Sequence, residues 1–275
     1  ATAIACGVKT NNGTIGLDSE GNHAKSLLEY ANENGMATGI VVTCEITNAT
    51  PASFIAHQKH RSMNEEIAAD FLKTDINVFI GGGRTYFEDR SDKQNLTNHL
   101  KTKGYKIAYT LEDVKNTTEG KLSGLLSEKH LPPYKERGNM LPDAVQTAIN
   151  LLEKNDNGFF LMVEGSQIDF ECHANNGEGA IDEMLDFDRA IKVAFDFADK
   201  NPGTLVVITA DHETGGVALT SGDIDNGEVG LSFSTKRHTA VMVPVFAYGV
   251  QAQNFSGIYE NTSFLPKILK ELGIL

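Results

Sequence analysis

Three ionisable side chains follow an apolar run in the last third of the sequence. Residues 205–208 are mostly β-branched, which is typical of a strand buried on both faces. The run leads to Asp211, His212 and Glu213 and then to a Gly-Gly breaker. In open α/β sheets, ligands bind at the carboxyl ends of the strands, so these side chains indicate a site. A polar loop whose aspartate caps the next turn explains the same residues equally well.

A second apolar run, residues 159–163, leads to further side chains that can bind metal ions. Glu164 follows it directly, and Asp169 and His173 come soon after. If the two runs form adjacent strands, their ends supply two histidines and several carboxylates to one place. Imidazole nitrogens and carboxylate oxygens are ligands of zinc, and carboxylates also suit magnesium. The sequence therefore predicts metal-dependent chemistry at these strand ends.

Three of the eight histidines are candidate ligands. His173, His212 and His238 each stand beside a small or acidic residue in a loop that follows an apolar run. The other five are predicted to be solvated (His23, His99 and His130) or to orient and pack their neighbours (His57 and His60).

Strands and helices alternate along the chain. The predicted strands are residues 38–43, 76–80, 105–109, 159–163, 205–208 and 244–248, and the clearest helices are 23–34, 94–103, 140–154, 178–200 and a closing helix capped by Ser263. This alternation predicts an α/β fold in which a mostly parallel central sheet has helices on both faces. We expect a single domain over residues 1–275, with a short hairpin-like insert at 213–237 near the site.

Two helices have features that bear on the site or the core. Thr50 is predicted to cap a helix whose first residue is Pro51, with Arg61 about three turns further along it. In the helix at 178–200, an apolar stripe that includes Ile181, Met184 and Leu185 is predicted to face the core. A run of three glycines at 81–83 lacks the spacing of a phosphate-binding loop, so a structural turn is favoured.

Composition excludes several classes of function. The net charge of −13 argues against a nucleic-acid partner, although bound divalent metals would still allow small anionic substrates. No apolar run approaches the roughly 20 residues that cross a bilayer. The three cysteines, Cys6, Cys44 and Cys172, form neither a disulfide framework nor a paired zinc motif.

Taken together, five segments resemble the alkaline phosphatase family. They are VEGSQIDFECH at 163–173, TADHETGG at 209–216, His238-Thr239, ATPASFIAHQKHR at 49–61 and the opening ATAIACGVKTNNGTIG. They keep the family's order and spacing, and the resemblance covers essentially the whole chain.

The resemblance implies two zinc ions and one magnesium ion. By their matching positions, the residues expected to bind these ions are Asp169, His173 and His238 for the first zinc, Asp211 and His212 for the second, and Glu164 and Thr50 for magnesium. Arg61 matches the arginine that binds the substrate phosphate.

The chain departs from the family's pattern at three points. The family's nucleophilic serine lies in an Asp-Ser-Ala motif four residues ahead of the position that matches Ala1, so we expect it upstream, with an aspartate that bridges the second zinc and magnesium. Asn48 stands where relatives carry Asp or His near the magnesium site. Phe170 stands where a bacterial relative has a lysine that reaches the phosphate through water.

The expected function is a phosphate monoester hydrolase that acts through a phosphoserine intermediate. Its partners would be small phosphate monoesters and inorganic phosphate, and the resemblance implies a periplasmic or secreted homodimer. The alternatives are a phosphodiesterase- or sulfatase-type member of the same superfamily, or a non-catalytic module that binds metal and phosphate.

Overall fold

The computed structural model describes all of residues 1–275, which form two compact units. Unit 1 comprises Ala1–Pro132, Asn139–Glu164 and Gly257–Leu275. Unit 2 comprises Pro133–Gly138 and Gly165–Ser256. The expectation of a single domain stays a prediction.

The chain contains eleven strands, twelve α-helices and two short 3-10 helices. The strands are β1 Ala37–Glu45, β2 Val78–Gly82, β3 Tyr105–Ala108, β4 Lys121–Leu125, β5 Phe159–Glu164, β6 Leu205–Thr209, β7 Glu213–Thr214, β8 Val217–Asp223, β9 Glu228–Phe233, β10 His238–Thr239 and β11 Val245–Gly249. The α-helices are α1 Thr2–Cys6, α2 Leu27–Glu33, α3 Ala49–Ala52, α4 Asn64–Asp70, α5 Thr85–Glu88, α6 Leu96–Thr102, α7 Leu111–Lys115, α8 Tyr134–Arg137, α9 Met140–Leu152, α10 Gln167–Ala174, α11 Gly177–Lys200 and α12 Phe264–Glu271. The 3-10 helices are Ala252–Phe255 and Asn261–Ser263.

Unit 1 is built on a five-stranded sheet in the order β3-β4-β2-β1-β5, and every neighbouring pair is parallel. All nine residues of β1 are buried, as expected for the central region of a parallel sheet. Helix α9 packs against β1 and buries an apolar stripe along its whole length. The predicted α/β fold with a mostly parallel central sheet flanked by helices is confirmed.

Helix α2 begins later than the sequence predicted, at Leu27 rather than His23. Ser26 and Glu29 form a capping box, in which each side chain accepts a hydrogen bond from the other residue's backbone N–H. His23 instead lies in an extended turn and forms an isolated bridge with Leu17. The capping box therefore fixes the start of the helix and leaves His23 outside it.

Strands β6 and β11 differ from the predicted core strands. They pair antiparallel with each other in a sheet of two strands. No residue of β6 is fully buried, and Phe246 of β11 is 61% exposed. An apolar run shows that a segment can be buried but does not specify its neighbours, so the prediction of two-sided burial is wrong for β6.

Helix α11 buries the face opposite to the predicted apolar stripe. Met184 and Leu185 are each 52% exposed, whereas Glu183 and Asp186 are 2% and 0% exposed. Both carboxylates bind the guanidinium of Arg137, which is itself almost completely buried. Charge pairing with α8 therefore decides which face of α11 is buried, and the hydrophobic pattern could not reveal it.

The three glycines at 81–83 do not form a turn together, so that prediction is wrong: Gly81 and Gly82 are the last residues of β2, and Gly83 directly follows the strand. A Cβ atom on Gly82 would lie only 1.9 Å from the carbonyl oxygen of Lys129, and Gly83 has φ of +90°. The three cysteines are free thiols. No helix is both long enough and apolar enough to cross a membrane.

Candidate metal centre

Helix α10 carries two of the predicted zinc ligands. Asp169 and His173 are four residues apart and therefore lie on the same face of the helix. Asp169 Oδ1 is 3.4 Å from His173 Nε2. The helix ends immediately beyond them, at Asn175 in the left-handed conformation.

A short antiparallel pairing positions the other two histidines. Strand β7 pairs with β10, so that His238 lies opposite Thr214. His212 directly precedes β7, and the rings of His212 and His238 stack with centroids 3.5 Å apart and an interplanar angle of 20°. The TADHETGG segment and the His-Thr dipeptide are thus brought together by backbone pairing.

Three ligand atoms form a nearly equilateral triangle. His173 Nε2 is 3.1 Å from His238 Nε2, and Asp169 Oδ1 is 3.4 Å from the first atom and 3.5 Å from the second. A tetrahedral zinc ion with bonds of about 2.0–2.1 Å separates its ligand atoms by about 3.3 Å. The triangle therefore has the size of one face of a zinc coordination tetrahedron.

Hydrogen bonds orient the imidazole rings for metal binding. His173 Nδ1 lies 2.7 Å from the carbonyl oxygen of Lys236, which can only accept, so Nδ1 carries the hydrogen and Nε2 keeps a lone pair when neutral. Thr214 Oγ1 donates to Asp169 Oδ1 at 2.5 Å and lies 3.2 Å from His212 Nδ1. Because the Thr214 hydroxyl donates its hydrogen to Asp169, its oxygen can accept a hydrogen bond from His212 Nδ1. The lone pair on His212 Nε2 is then available to a metal ion.

The electrostatics of the cluster favour neutral imidazole at His238. Partial burial and the neighbouring His212 lower the pKa of His238, and the Asp169 carboxylate only partly offsets them. Because metal ions bind the neutral ring, this shift keeps His238 available as a ligand near neutral pH.

Asp211 and His212 offer a second pair of ligand atoms. Asp211 Oδ1 lies 3.4 Å from His212 Nε2, and both side chains are about one quarter exposed. His212 also belongs to a cluster in which its ligand atom and those of Asp169 and His238 all lie within 4.8 Å of one another. Unit 2 therefore places all five predicted zinc ligands in one short stretch of surface.

The predicted magnesium ligands lie in unit 1. Glu164 is the last residue of β5, opposite Val42 of β1, and its Oε2 is 3.6 Å from Cys44 Sγ. Thr50 lies in the first turn of α3, but the cap of that helix is Asn48, whose Oδ1 accepts from the Ala49 N–H at 2.7 Å. The prediction of Thr50 as cap is therefore wrong, because Asn is the stronger cap and stands two residues earlier.

Arg61 does not lie on the helix predicted for it. Helix α3 ends at Ala52, and Arg61 lies in a turn that precedes α4. Its Nη2 donates to Asn48 Oδ1 at 3.2 Å. The exposed guanidinium is thus held at one end by the helix cap, and its remaining N–H groups can donate to an anion.

Phe170, the other departure from the family's pattern, follows Asp169 on α10 and is half-buried.

Comparison with known proteins agrees with this arrangement of residues. The family model described as alkaline phosphatase matches residues 1–227. This chain belongs to the alkaline phosphatase family. It is 35% identical to alkaline phosphatase 3 of Bacillus subtilis over 99% of the chain and 76% of that protein. It is 37% identical to alkaline phosphatase 4 of the same organism over 98% of the chain, but it spans only 60% of that relative.

Solved alkaline phosphatases share the fold. The structure of the enzyme from the Antarctic bacterium TAB5 matches with a TM-score of 0.92 and 42% identity, over 99% of this chain and 82% of that one. A variant of the TAB5 enzyme, solved with Mg bound in its M3 site, matches with a TM-score of 0.91 at the same identity and coverage.

Some residues of interest were not identified from the sequence. Thr214 contacts two candidate ligands, yet a threonine beside a Gly-Gly breaker gives no signal of that role. A second cluster, in unit 1, joins His23, Glu29 and His57, whose ligand atoms lie within 4.8 Å of one another. His57 is 28 residues from Glu29, so spacing along the chain could not reveal the cluster.

Proposed function

We propose that this alkaline phosphatase family member is a metal-dependent phosphate monoester hydrolase that acts through a phosphoserine intermediate. The observation that carries the proposal is the triangle of Asp169 Oδ1, His173 Nε2 and His238 Nε2, whose edges of 3.1–3.5 Å suit one zinc ion. A purely structural role in hydrogen bonding would not require two imidazole nitrogens and one carboxylate oxygen to lie this close together.

The proposed cofactors are two zinc ions and one magnesium ion. The donor set supports zinc, because two imidazoles and one carboxylate converge and the outer hydrogen bonds leave nitrogen lone pairs facing the centre. Asp211 and His212 would hold the second zinc, and Glu164 and Thr50 would contribute to the magnesium site. Bound zinc would supply Lewis-acid stabilisation of the attacking and leaving oxygens of an in-line displacement at phosphorus.

Arg61 is the proposed phosphate-binding residue. A planar guanidinium can donate to two phosphoryl oxygens at once, and charge-assisted hydrogen bonds of this kind are short and strong. Asn48 accepts from one Nη2 hydrogen and so orients the guanidinium. Arg61 would hold the phosphoryl group in place while its bond to the leaving alcohol breaks.

The proposed nucleophile is a serine that precedes Ala1, at the Asp-Ser-Ala position of the family. Its oxygen would attack phosphorus and expel the alcohol, and water would then hydrolyse the phosphoserine to release inorganic phosphate. Ser19, Ser53 and Ser166 do not match the family's nucleophile. Ser53, for example, is 1% exposed and donates to the Ala49 carbonyl oxygen.

Location and assembly are part of the same proposal. By resemblance to the family, the protein would act in the periplasm or outside the cell, as a homodimer. Cell fractionation would test the first statement, and sedimentation equilibrium of the purified protein would test the second.

The decisive experiment compares two polypeptides. One contains residues 1–275, and the other continues upstream of Ala1 through an Asp-Ser-Ala motif. With zinc and magnesium present, we expect the extended chain to hydrolyse p-nitrophenyl phosphate and to form an acid-trapped phosphoserine. A variant with Ala in place of that serine is the matched control. Full turnover by residues 1–275 alone would show that the nucleophile is misassigned.

A further inference from the structure

We propose that His23, Glu29 and His57 form an additional zinc site, separate from the residues assigned above. Glu29 Oε1 lies 3.3 Å from His23 Nε2 and 3.1 Å from His57 Nε2. The rings of the two histidines are in contact, with centroids 3.6 Å apart and planes inclined at 66°. All three ligand atoms lie within 4.8 Å of one another.

The distances fit tetrahedral coordination. A zinc ion bound at about 2.0–2.1 Å places its ligand atoms about 3.3 Å apart, which is the separation of Glu29 Oε1 from each imidazole nitrogen. Two histidines and one glutamate are a ligand set that zinc binds in proteins, with a fourth position left for water. The side chain of His23 is 55% exposed, so that position is accessible to solvent.

The outer hydrogen bonds of His57 support its role as a ligand. His57 Nδ1 lies 2.6 Å from the carbonyl oxygen of Gly16, so Nδ1 carries the hydrogen and Nε2 is directed at Glu29. The contact is close because Gly16 lacks a side chain: a Cβ atom there would lie 2.7 Å from His57 Nδ1. The same carbonyl oxygen accepts from the Ala24 N–H at 3.0 Å, next to His23. One peptide group therefore positions two of the three ligands.

Glu29 is also held in place by contacts that leave one oxygen available. Its Oε2 accepts from the Ser26 N–H at 2.8 Å as part of the capping box of α2. Its Oε1 makes the contacts with the histidines.

A bound zinc ion would link the chain around His57 to two segments that are close to each other and lie earlier in the sequence. These are the segment that contains His23 and the first turn of α2; Gln58, next to His57, forms a bridge with Ile15. Zinc that binds only the folded chain stabilises it by mass action. We therefore infer a stabilising role for this site, separate from hydrolysis.

The test removes the carboxylate and keeps the helix cap. Glu29→Gln retains a side-chain oxygen for the capping box, because glutamine occupies that position in natural caps, but it lacks the charge that zinc requires. Both the parent and the test chain carry His173→Ala and His238→Ala, so that the other candidate centre is disrupted. His99→Ala, which removes an exposed histidine elsewhere in unit 1, is the matched control.

Zinc bound per chain is measured by equilibrium dialysis and elemental analysis, and the unfolding temperature is measured with zinc and with chelator. We expect Glu29→Gln to bind one zinc ion fewer than its parent and to lose the zinc-dependent rise in unfolding temperature, while His99→Ala behaves like the parent. If Glu29→Gln is already less stable in chelator, His23→Ala provides the same comparison at an exposed residue. Equal zinc content and an equal thermal response in the parent and in His23→Ala would overturn the proposal, and would leave a histidine–glutamate ion pair as the role of the cluster.

Discussion

The Nε2 atoms of His173 and His238 lie 3.1 Å apart. Because Nδ1 of His173 donates to the Lys236 carbonyl oxygen, its Nε2 has no hydrogen in the neutral ring. The short contact is then favourable in two cases, namely if His238 donates to it or if a cation binds both nitrogens. The negatively charged Asp169 oxygen near both nitrogens favours the second case, a bound cation.

His238→Ala tests that interpretation. We expect the variant to bind about one zinc ion fewer per chain and to lose phosphatase activity in the extended polypeptide, because one of three ligands is removed. Elemental analysis of dialysed protein gives the zinc content, and His99→Ala serves as control. Unchanged zinc content in His238→Ala would show that the triangle is a hydrogen-bonded cluster instead.

Thr214→Val tests the outer hydrogen bonds of the same centre. Thr214 Oγ1 donates to Asp169 and contacts His212, and valine has nearly the same shape without the hydroxyl. Loss of such outer contacts weakens metal binding by roughly 10- to 100-fold. Competition with a zinc chelator measures the affinity, and Thr220→Val on the exposed strand β8 is the matched control. If Thr214→Val binds zinc as tightly as the control does, the Thr214 hydroxyl does not contribute to metal binding.

Arg61→Ala tests the phosphate-binding role. If Arg61 binds phosphate as proposed, the substitution removes two charge-assisted hydrogen bonds of roughly 1.5–3 kcal/mol each, partly compensated by the proposed metal ions. We expect activity to fall about 10- to 100-fold and inhibition by inorganic phosphate to weaken. Stability should change little, because the exposed side chain has one hydrogen bond, to Asn48. Arg61→Lys keeps the charge but lacks the planar fork that matches two phosphoryl oxygens, so its activity should lie between those of the parent and Arg61→Ala. If inorganic phosphate inhibits Arg61→Ala as strongly as it inhibits the parent, a direct contact between Arg61 and the phosphate is excluded.

Arg137→Ala tests the buried charges of unit 2. The Arg137 guanidinium is 2% exposed and pairs with Glu183 and Asp186, which are as deeply buried. Its removal leaves Glu183 without its cation and Asp186 with Arg189 alone, 3.3 Å away, at a cost of about 3–5 kcal/mol in the free energy of unfolding. Lys135→Ala, which removes an exposed pair with Glu178 on the same helices, should remain close to the parent. Urea unfolding measures the stability of both variants, and equal midpoints would contradict the stabilising role of Arg137.

Much of unit 1 could be predicted from the sequence. Strand β1 and helix α9 each have a strong hydrophobic pattern that matches their burial, and their observed bounds lie within a few residues of the predicted ones. The start of α2 was misplaced because a capping box outweighed the amphipathic pattern around His23. Local hydrogen bonds set that boundary, and the hydrophobic periodicity of the sequence does not reveal them.

The candidate ligands of unit 2 were recognisable because several of them stand close together in sequence. Asp169 and His173 are one helical turn apart, and Asp211 and His212 are adjacent. The contacts of Thr214 and of His57 depend on chain pairing over longer distances, and neither residue type is unusual in a structural role. Such contacts follow from the fold, and a single sequence does not specify them.

The dependence of phosphate monoester hydrolysis on zinc is the most direct test of the account. The extended polypeptide is treated with chelator and dialysed, and its rate of p-nitrophenyl phosphate hydrolysis is measured as zinc is returned in the presence of magnesium. We expect no turnover in the metal-free protein, and a rate that rises with added zinc until the proposed sites are filled. A metal-free protein that retains the full rate would contradict the account.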